Sequence, residues 1–309
     1  MRYPYLAVDA NAEDMALEIA SRLEPSAPAN DQWLQVLGHW VSNESASWRI
    51  SQSPSHMKTL YSLAEAGNKH STLILANMPC SPRVCSELVD SHHYVSWILS
   101  CPADSLRPFT IAALRNLSAV LDVDARRSLI EKGAVDCVVK TLELACDKSN
   151  EDVWQHCGQP HLLVSCMAAL RLLCRVLPGS RIDDALRGHP TLIHLILNCI
   201  MTEDAPEHIR LEGSRCIVEI CGGDEVLENV LSCAEWTSVL RELVSSSHDI
   251  LHREALLFLL RAWSTHRQQM LKCSKDWQSL LSRFENVAEA LLPRLRDIQS
   301  HFDVDIERD

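Results

Sequence analysis

The sequence is poor in glycine, in basic residues and in signature motifs of enzymes. Its 309 residues include 9 glycines and 13 prolines, too few to give each strand of a many-stranded protein its own tight turn. The phosphate-binding patterns G-x-x-x-x-G-K-[ST] and G-x-G-x-x-G are absent, and so is the nucleophile pattern G-x-S-x-G. These absences argue against an all-β fold and against the common nucleotide-dependent and hydrolytic enzymes.

The charge balance is acidic. The chain has 41 acidic against 29 basic residues, a net charge of −12, whereas coating a nucleic acid requires an excess of positive charge. No secretory signal pattern opens the sequence, and the most apolar run, 192–201, is too short to span a bilayer. We therefore expect a cytosolic monomer that neither binds nucleic acid nor integrates into a membrane.

Thirteen cysteines are scattered through apolar stretches, which is typical of reduced, buried thiols in a cytosolic protein. Four residues could be drawn as a zinc set: His156, Cys157, His161 and Cys166. Their H-C-x3-H-x4-C spacing matches no standard zinc finger. We predict no metal, no other cofactor and no catalytic residues.

Two patterns recur along the chain. One is an apolar pair, a short polar or glycine step and the start of an amphipathic helix, as in LIEKGAVDCVVKTL from Leu129. Its marker residues are Val89, Ile130, Leu186 and Leu231, giving steps of 41, 56 and 45 residues. Upstream of each copy stands a helix that is apolar nearly all round: STLILANM, IAALRNLS, MAALRLLC and EGSRCIVEIC, with a fifth copy, REALLFLLRAW, after the last repeat. Such helices must be covered on most sides.

This period predicts an all-α protein of the armadillo/HEAT type, a right-handed superhelical α-solenoid of about five repeats. Residues 1–70 are less regular and are interpreted as a divergent helical cap. Residues 71–285 hold the repeats, with a polar insertion at 147–160, and 286–309 form a C-terminal helix and an acidic tail.

The segment TIAALRNLSAV, followed by LIEKGAVDCVVKTL, closely resembles the armadillo consensus. The ordered series of repeats from about 70 to 262 resembles the SmgGDS family, the armadillo-type GDP-dissociation stimulators of small GTPases. For example, ILANMPCSPRVCSELVDSHHYVSWIL is similar to that family's "ALANFARND…MVDNGIV" repeat. EGSRCIVEICGGDEVLENVL is similar to "ESNRLLSALI…DVIKTIV", with Ser214 in place of the family asparagine. The family's N-terminal repeats have no counterpart in this sequence.

The resemblance implies a non-enzymatic regulator that binds Rho-, Ras- or Rap-like small GTPases and promotes GDP release or chaperones them. Its partners would be small GTPases with polybasic C-terminal tails. The alternative is a generic armadillo scaffold for protein–protein interactions, without nucleotide-exchange activity.

In such a stack the third helix of each repeat lines a concave groove. Asn77 and Asn116 fall at equivalent positions there and could clamp the backbone of a ligand or bond loop carbonyls. Arg115, Arg171 and Arg215 also align, and could bind a partner's carboxylates or bridge to neighbouring acids. With Ser214 these residues form the predicted partner-binding groove.

Acidic residues are concentrated between Glu203 and Glu242. This patch could dock a basic tail, or could simply be a solvated outer face. Its members that we assign to tail binding are Glu203, Asp204, Glu207, Glu212, Glu219, Asp224, Glu225 and Glu228.

Overall fold

The computed structural model describes residues 12–24, 30–90, 92–100, 107–147, 160–175, 177, 179–202, 205–233, 236–237 and 249–270. The described residues form helices and connecting turns, and they include no strand. The chain divides into two compact units, unit 1 (Met1–Thr141) and unit 2 (Leu142–Asp309).

Unit 1 contains nine whole helices in its described residues and most of a tenth. In chain order they are α1 (Ala12–Ser21), α2 (Asn30–Trp40), α3 (Glu44–Ser51), α4 (Pro54–Glu65), α5 (Lys69–Asn77), α6 (Pro82–Asp90), α7 (His92–Ser100), α8 (Arg107–Val120), α9 (Val123–Glu131) and α10 (Ala134–Asp147). Helix α10 continues into unit 2, which begins at Leu142.

Unit 2 continues with six further helices among its described residues. They are α11 (Pro160–Cys174), α12 (Gly179–Leu186), α13 (Leu192–Met201), α14 (Glu207–Ile220), α15 (Asp224–Ser232) and α16 (Asp249–Met270). The predicted insertion lies almost entirely outside the described residues, as does the predicted C-terminal helix and tail at 286–309.

The helices repeat in threes. Helices α3, α4 and α5 correspond, in chain order, to α6, α7 and α8. In unit 1, α3 packs on α6, and α5 packs on both α2 and α8. In unit 2, α14 packs between α11 and α16, and α12 packs on α15. We call α5, α8, α11, α14 and α16 the third helices. Side-by-side packing of equivalent helices is the arrangement of a helical-repeat stack.

The third helices are the segments that the sequence marked as apolar nearly all round. Helix α8 buries Ile111, Leu114 and Leu117 completely. It is covered in unit 1 by α5, α6 and α7. Burial on several sides explains why polar positions are so few on this helix. The prediction that these segments are covered helices is confirmed.

Residues in the turns determine where several helices begin and end. Gly133 separates α9 from α10 with a φ of +93°, a conformation that residues with a Cβ rarely adopt. The Asp122 carboxylate accepts the Ala125 backbone N–H at 2.9 Å and starts α9. Asn68 starts α5 in the same way, since its Oδ1 accepts from the backbone N–H groups of His70 and Ser71. These side chains satisfy donors that a helix cannot satisfy by itself.

No helix among the described residues is long and apolar enough to cross a lipid bilayer.

Candidate protein-interaction site

An exposed stripe runs along the third helix α5 in unit 1. Helices α2, α4 and α8 cover the rest of α5. Lys69, Leu73 and Asn77 stand four residues apart on this helix and are all exposed. Leu73 is 47% exposed, which is unusual for a leucine in a helix packed against three others. Residues spaced by four share one helix face, so the stripe is the part of α5 that no other described helix covers.

One of the two asparagines predicted to line the groove, Asn116, lies at the junction of α5 and α8. The Asn116 Nδ2 donates to the Ala76 carbonyl at 2.9 Å, and Ala76 is the residue before Asn77. The Oδ1 of Asn116 accepts from Arg115 Nη2 at 3.0 Å and from Arg115 Nε at 3.3 Å. We call Lys69, Leu73, Asn77, Arg115 and Asn116 the α5–α8 surface.

The equivalent asparagines therefore differ in what they do. Asn116 is half-buried and links its own helix to the end of the preceding third helix. Asn77 is exposed at the end of α5, and its amide is accessible to a ligand. An amide offers both donors and an acceptor, which suits recognition of a ligand backbone.

In unit 2 the aligned arginines bridge neighbouring third helices. Arg171 Nε on α11 lies 2.7 Å from Glu212 Oε1 on α14, with side-chain exposures of 9% and 13%. Arg215 Nη1 approaches the other oxygen of Glu212 at 3.3 Å. Arg175 pairs with Glu219 at 3.4 Å. Of the two uses predicted for the arginines, the structure has Arg171 and Arg215 in bridges to acids of their own unit.

A further arginine extends this network to α16. Arg261 Nη1 donates to the Val218 carbonyl of α14 at 3.0 Å. The sequence gives no signal for this role of Arg261, because its partner is a backbone carbonyl, which every residue has. The network brings four guanidinium groups together with the two carboxylates of Glu212 and Glu219, so its net charge is not negative.

Ser214 requires a correction. It is fully buried, and its hydroxyl has no hydrogen-bond partner among the described residues. One residue later in the helix, Arg215 points in a direction rotated by about 100° and remains partly exposed. Ser214 therefore belongs to the packed side of α14 and does not line an exposed groove.

The predicted acidic patch is divided by the structure. Glu203 and Asp204 lie outside the described residues. Glu212 and Glu219 belong to the arginine bridges, which neutralise their charge. Glu207 is exposed at the start of α14. The members of the patch that the structure describes therefore do not form one continuous negative surface on the third helices.

Three acids remain together on α15. Asp224, Glu225 and Glu228 are exposed on this helix, and we call them the α15 acids. Arg187, the residue after α12, approaches Glu225 at 3.8 Å and Asp184 at 3.0 Å, all with well-exposed side chains. Pairs of this kind contribute little free energy, so the α15 acids stay available to an external cation.

A buried carboxylate fixes where α15 begins. Asp183 on α12 is only 8% exposed. Its two oxygens accept the backbone N–H groups of Asp224 at 3.1 Å and Val226 at 3.2 Å. A carboxylate at a helix N-terminus satisfies unpaired donors and favours the helix dipole. This contact positions the first turn of α15, and with it the α15 acids.

The described cysteines include several that are deeply buried in the core. Burial raises the pKa of the Cys85 thiol to about 12 and that of Cys174 to about 12. A protonated thiol is a poor nucleophile and a poor metal ligand. Within the described residues no group of three or more His, Cys, Asp or Glu side chains is placed to hold a metal ion. His156 and Cys157 of the predicted zinc set lie outside those residues.

The fold and the site define a helical-repeat protein of the α-solenoid class. No protein-family model matches the sequence, and no curated protein matches it. Solved structures identify the kind of repeat. The designed armadillo repeat protein YIII(Dq)4CqI is similar with a TM-score of 0.61 at 17% identity, over 81% of this chain and 99% of that one.

A second similar structure is the designed armadillo repeat protein YIII(Dq.V1)4CPAF in complex with peptide (KR)4. Its TM-score is 0.59 at 15% identity, over 82% of this chain and 99% of that one. Identities this low indicate a shared fold and nothing further. The chain has an all-α armadillo-type fold, which confirms the fold class predicted from the sequence.

Proposed function

We propose that this chain is a non-enzymatic protein-binding scaffold whose ligand is a small GTPase, held by the α5–α8 surface. The observation that carries the proposal is the exposed Leu73 flanked by the amide of Asn77 and the ammonium group of Lys69. An apolar centre within a polar rim is the usual arrangement of a protein–protein interface.

The class of partner rests on the sequence resemblance to the SmgGDS family. A scaffold of this kind needs no reacting side chain. It accelerates GDP release if it binds the nucleotide-free GTPase more tightly than the GDP-bound form, because that difference shifts the equilibrium toward loss of nucleotide.

The α15 acids support a second, separate contact. Small GTPases of the implied kind carry polybasic tails, and three exposed carboxylates on one helix would attract such a tail. The armadillo-type structure in complex with peptide (KR)4 is a precedent for a basic peptide on this fold. The tail contact would strengthen binding without taking part in nucleotide release.

The test is a nucleotide-release assay. Rho-, Ras- and Rap-like GTPases loaded with fluorescent GDP are mixed with this chain, and the loss of fluorescence is followed in excess unlabelled GTP. Faster release, with a stable complex between the chain and the nucleotide-free GTPase, is the expected result.

Two other outcomes are informative. Complex formation without faster release would make the chain a scaffold or chaperone for GTPases. No complex with any nucleotide-free GTPase would overturn the GTPase proposal, and affinity purification would then identify the protein that a generic scaffold binds.

A further inference from the structure

Two cysteine sulfurs are in contact in unit 2. The Sγ of Cys146 on α10 lies 3.6 Å from the Sγ of Cys199 on α13, although the residues are 53 positions apart in the sequence. A second contact supports this alignment, since the hydroxyl of Thr191, the residue before α13, donates to Glu143 Oε1 on α10 at 3.4 Å. A disulfide bond needs the sulfurs at about 2.05 Å, so forming one requires only a short approach.

The two sulfurs differ in access to solvent. Cys199 is 5% exposed, whereas Cys146 is half-buried. The hydrogen bond from the Cys146 thiol lowers the pKa of Cys199. The same hydrogen bond, together with burial, raises the pKa of Cys146. Cys199 is thus the sulfur that is more readily deprotonated, and the more accessible Cys146 lies in contact with it, where a resolving cysteine is placed.

We propose that Cys146 and Cys199 are a site of reversible oxidation, at which a hydroperoxide produces an intramolecular disulfide between α10 and α13. In the first step the Cys199 thiolate attacks the peroxide, because the thiolate and not the thiol is the nucleophile. An S–O bond forms, the O–O bond breaks, the sulfur loses two electrons and the thiol proton leaves in a molecule of water.

In the second step the Cys146 thiol loses its proton, and its sulfur attacks the sulfur of the Cys199 sulfenic acid. The S–S bond forms, the S–O bond breaks, and the departing hydroxide takes up a proton to give a second water. Two thiols and one molecule of hydrogen peroxide thus give one disulfide and two waters. A dithiol or glutathione reverses the reaction by thiol–disulfide exchange.

Other cysteines of the described chain are less suited to this reaction. Cys174 and Cys216 are fully buried, and burial raises the pKa of both thiols. Buried thiols of this kind are inert toward oxidants. Cys137, on the same helix as Cys146, is half-buried and provides a matched control for access.

The disulfide would tie two helices that are distant in sequence. Closing a long loop reduces the entropy of the unfolded chain, so the oxidised protein should resist unfolding better than the reduced protein. The midpoint of urea unfolding of the full chain should therefore rise on oxidation and return after reduction.

Trypsin separates the two cysteines cleanly. Cleavage after Lys140 and Lys148 releases peptide 141–148, which contains Cys146 as its one cysteine. Cleavage after Arg187 and Arg210 releases peptide 188–210, which contains Cys199 as its one cysteine. The full chain is treated with hydrogen peroxide, the remaining thiols are alkylated, and the digest is analysed by mass spectrometry.

The expected product is a linked peptide whose mass is the sum of 141–148 and 188–210 less two hydrogen atoms. It should vanish after dithiothreitol treatment and be absent from Cys146→Ser and Cys199→Ser, but persist in Cys137→Ser. Two results on the unmodified chain would overturn the proposal: both peptides recovered fully alkylated after oxidation, or Cys146 linked to a different cysteine. Both results are obtained with the unmodified chain, so the test remains valid even if a cysteine variant does not fold.

Discussion

The guanidinium of Arg171 and the carboxylate of Glu212 form a nearly buried ion pair that joins two third helices of unit 2, with Nε 2.7 Å from Oε1. Glu212 also accepts from Arg215 at 3.3 Å, so the carboxylate serves two cations. Burying a charge is tolerable only when it is paired, and the penalty falls on whichever partner loses its counter-charge.

Glu212→Ala should therefore cost more stability than Arg171→Ala. The first leaves the buried guanidinium unpaired and should lower the free energy of unfolding by about 3 kcal/mol. The second leaves Glu212 with Arg215 and should cost less. Urea unfolding followed by circular dichroism measures both. Arg187→Ala, which breaks an exposed pair with Asp184, is the control and should cost about 0.5 kcal/mol.

Substitution of Asn116 should affect stability, whereas substitution of Asn77 should affect partner binding. Asn116→Ala removes the hydrogen bond to the Ala76 carbonyl and should lower thermal stability, at a cost of about 1 kcal/mol. Asn77→Ala alters an exposed side chain, so it should leave the melting temperature unchanged and weaken partner binding. Equal loss of stability in the two variants would contradict this division.

Gly213→Ala should destabilise unit 2 although alanine favours helix. A Cβ at Gly213 would stand 2.7 Å from Ile200 Cγ1 and 3.1 Å from Met167 Sδ. Overpacking of this kind costs about 1–3 kcal/mol, which exceeds the gain of about 1 kcal/mol in helix propensity. Gly38→Ala on α2 is the matched helical control, since a Cβ there would meet only Ile74 Cγ1, at an ordinary contact distance of 3.9 Å. A melting temperature raised by Gly213→Ala would show that the neighbouring helices yield easily.

Leu73→Glu should abolish most partner binding. It places a charge at the centre of the α5–α8 surface, and loss of a hot-spot side chain costs about 2 kcal/mol or more, which is roughly thirtyfold in affinity. Leu144→Glu is the control, because Leu144 is 43% exposed against 47% for Leu73 and lies on α10. Affinity is measured by titration calorimetry with the partner identified in the release assay. Equal affinities of the two variants would remove Leu73 from the interface.

Neutralising the α15 acids should weaken binding of a GTPase that carries its basic tail. The triple change Asp224→Asn, Glu225→Gln and Glu228→Gln removes the long-range attraction, so the association rate should fall and depend less on salt. A GTPase without its tail should bind the variant and the unmodified chain equally. The rates are measured by stopped-flow fluorescence at several ionic strengths.

A charge-matched control tests whether position matters. Three exposed acids of unit 1 can be neutralised instead by Glu65→Gln, Asp90→Asn and Glu131→Gln. This change removes the same net charge, so an equal drop in association rate would mean that the overall charge steers the ligand and the α15 acids have no special role.

Much of the fold could be predicted from local patterns. The run IAALRNLS is apolar on nearly every side, and such a segment can only be a covered helix, as α8 is. The glycine in LIEKGAVDCVV predicted a turn, and Gly133 indeed adopts a positive φ. Both features depend on neighbouring residues in the sequence, which is why one sequence was sufficient to find them.

The site was less accessible because its contacts join distant residues. Aligning the repeats placed Arg171 near Arg215, yet the carboxylate that joins them, Glu212, had been assigned to a separate acidic patch. Whether a polar residue is exposed depends on how its helix is rotated about its own axis. The sequence pattern determines that rotation only to within about one residue. This explains why Ser214 is buried while Arg215, one residue later, is partly exposed.

The contact from Asp183 to the first turn of α15 affects how this chain could evolve or be engineered. Because the side chain that starts α15 is supplied by α12, the α15 repeat does not carry all the information for its own beginning. Shuffling, deleting or duplicating that repeat alone would leave a helix start without its acceptor. A recombinant protein that folds must therefore contain both repeats together, or must have a new hydrogen-bond acceptor for the backbone N–H groups at the start of α15.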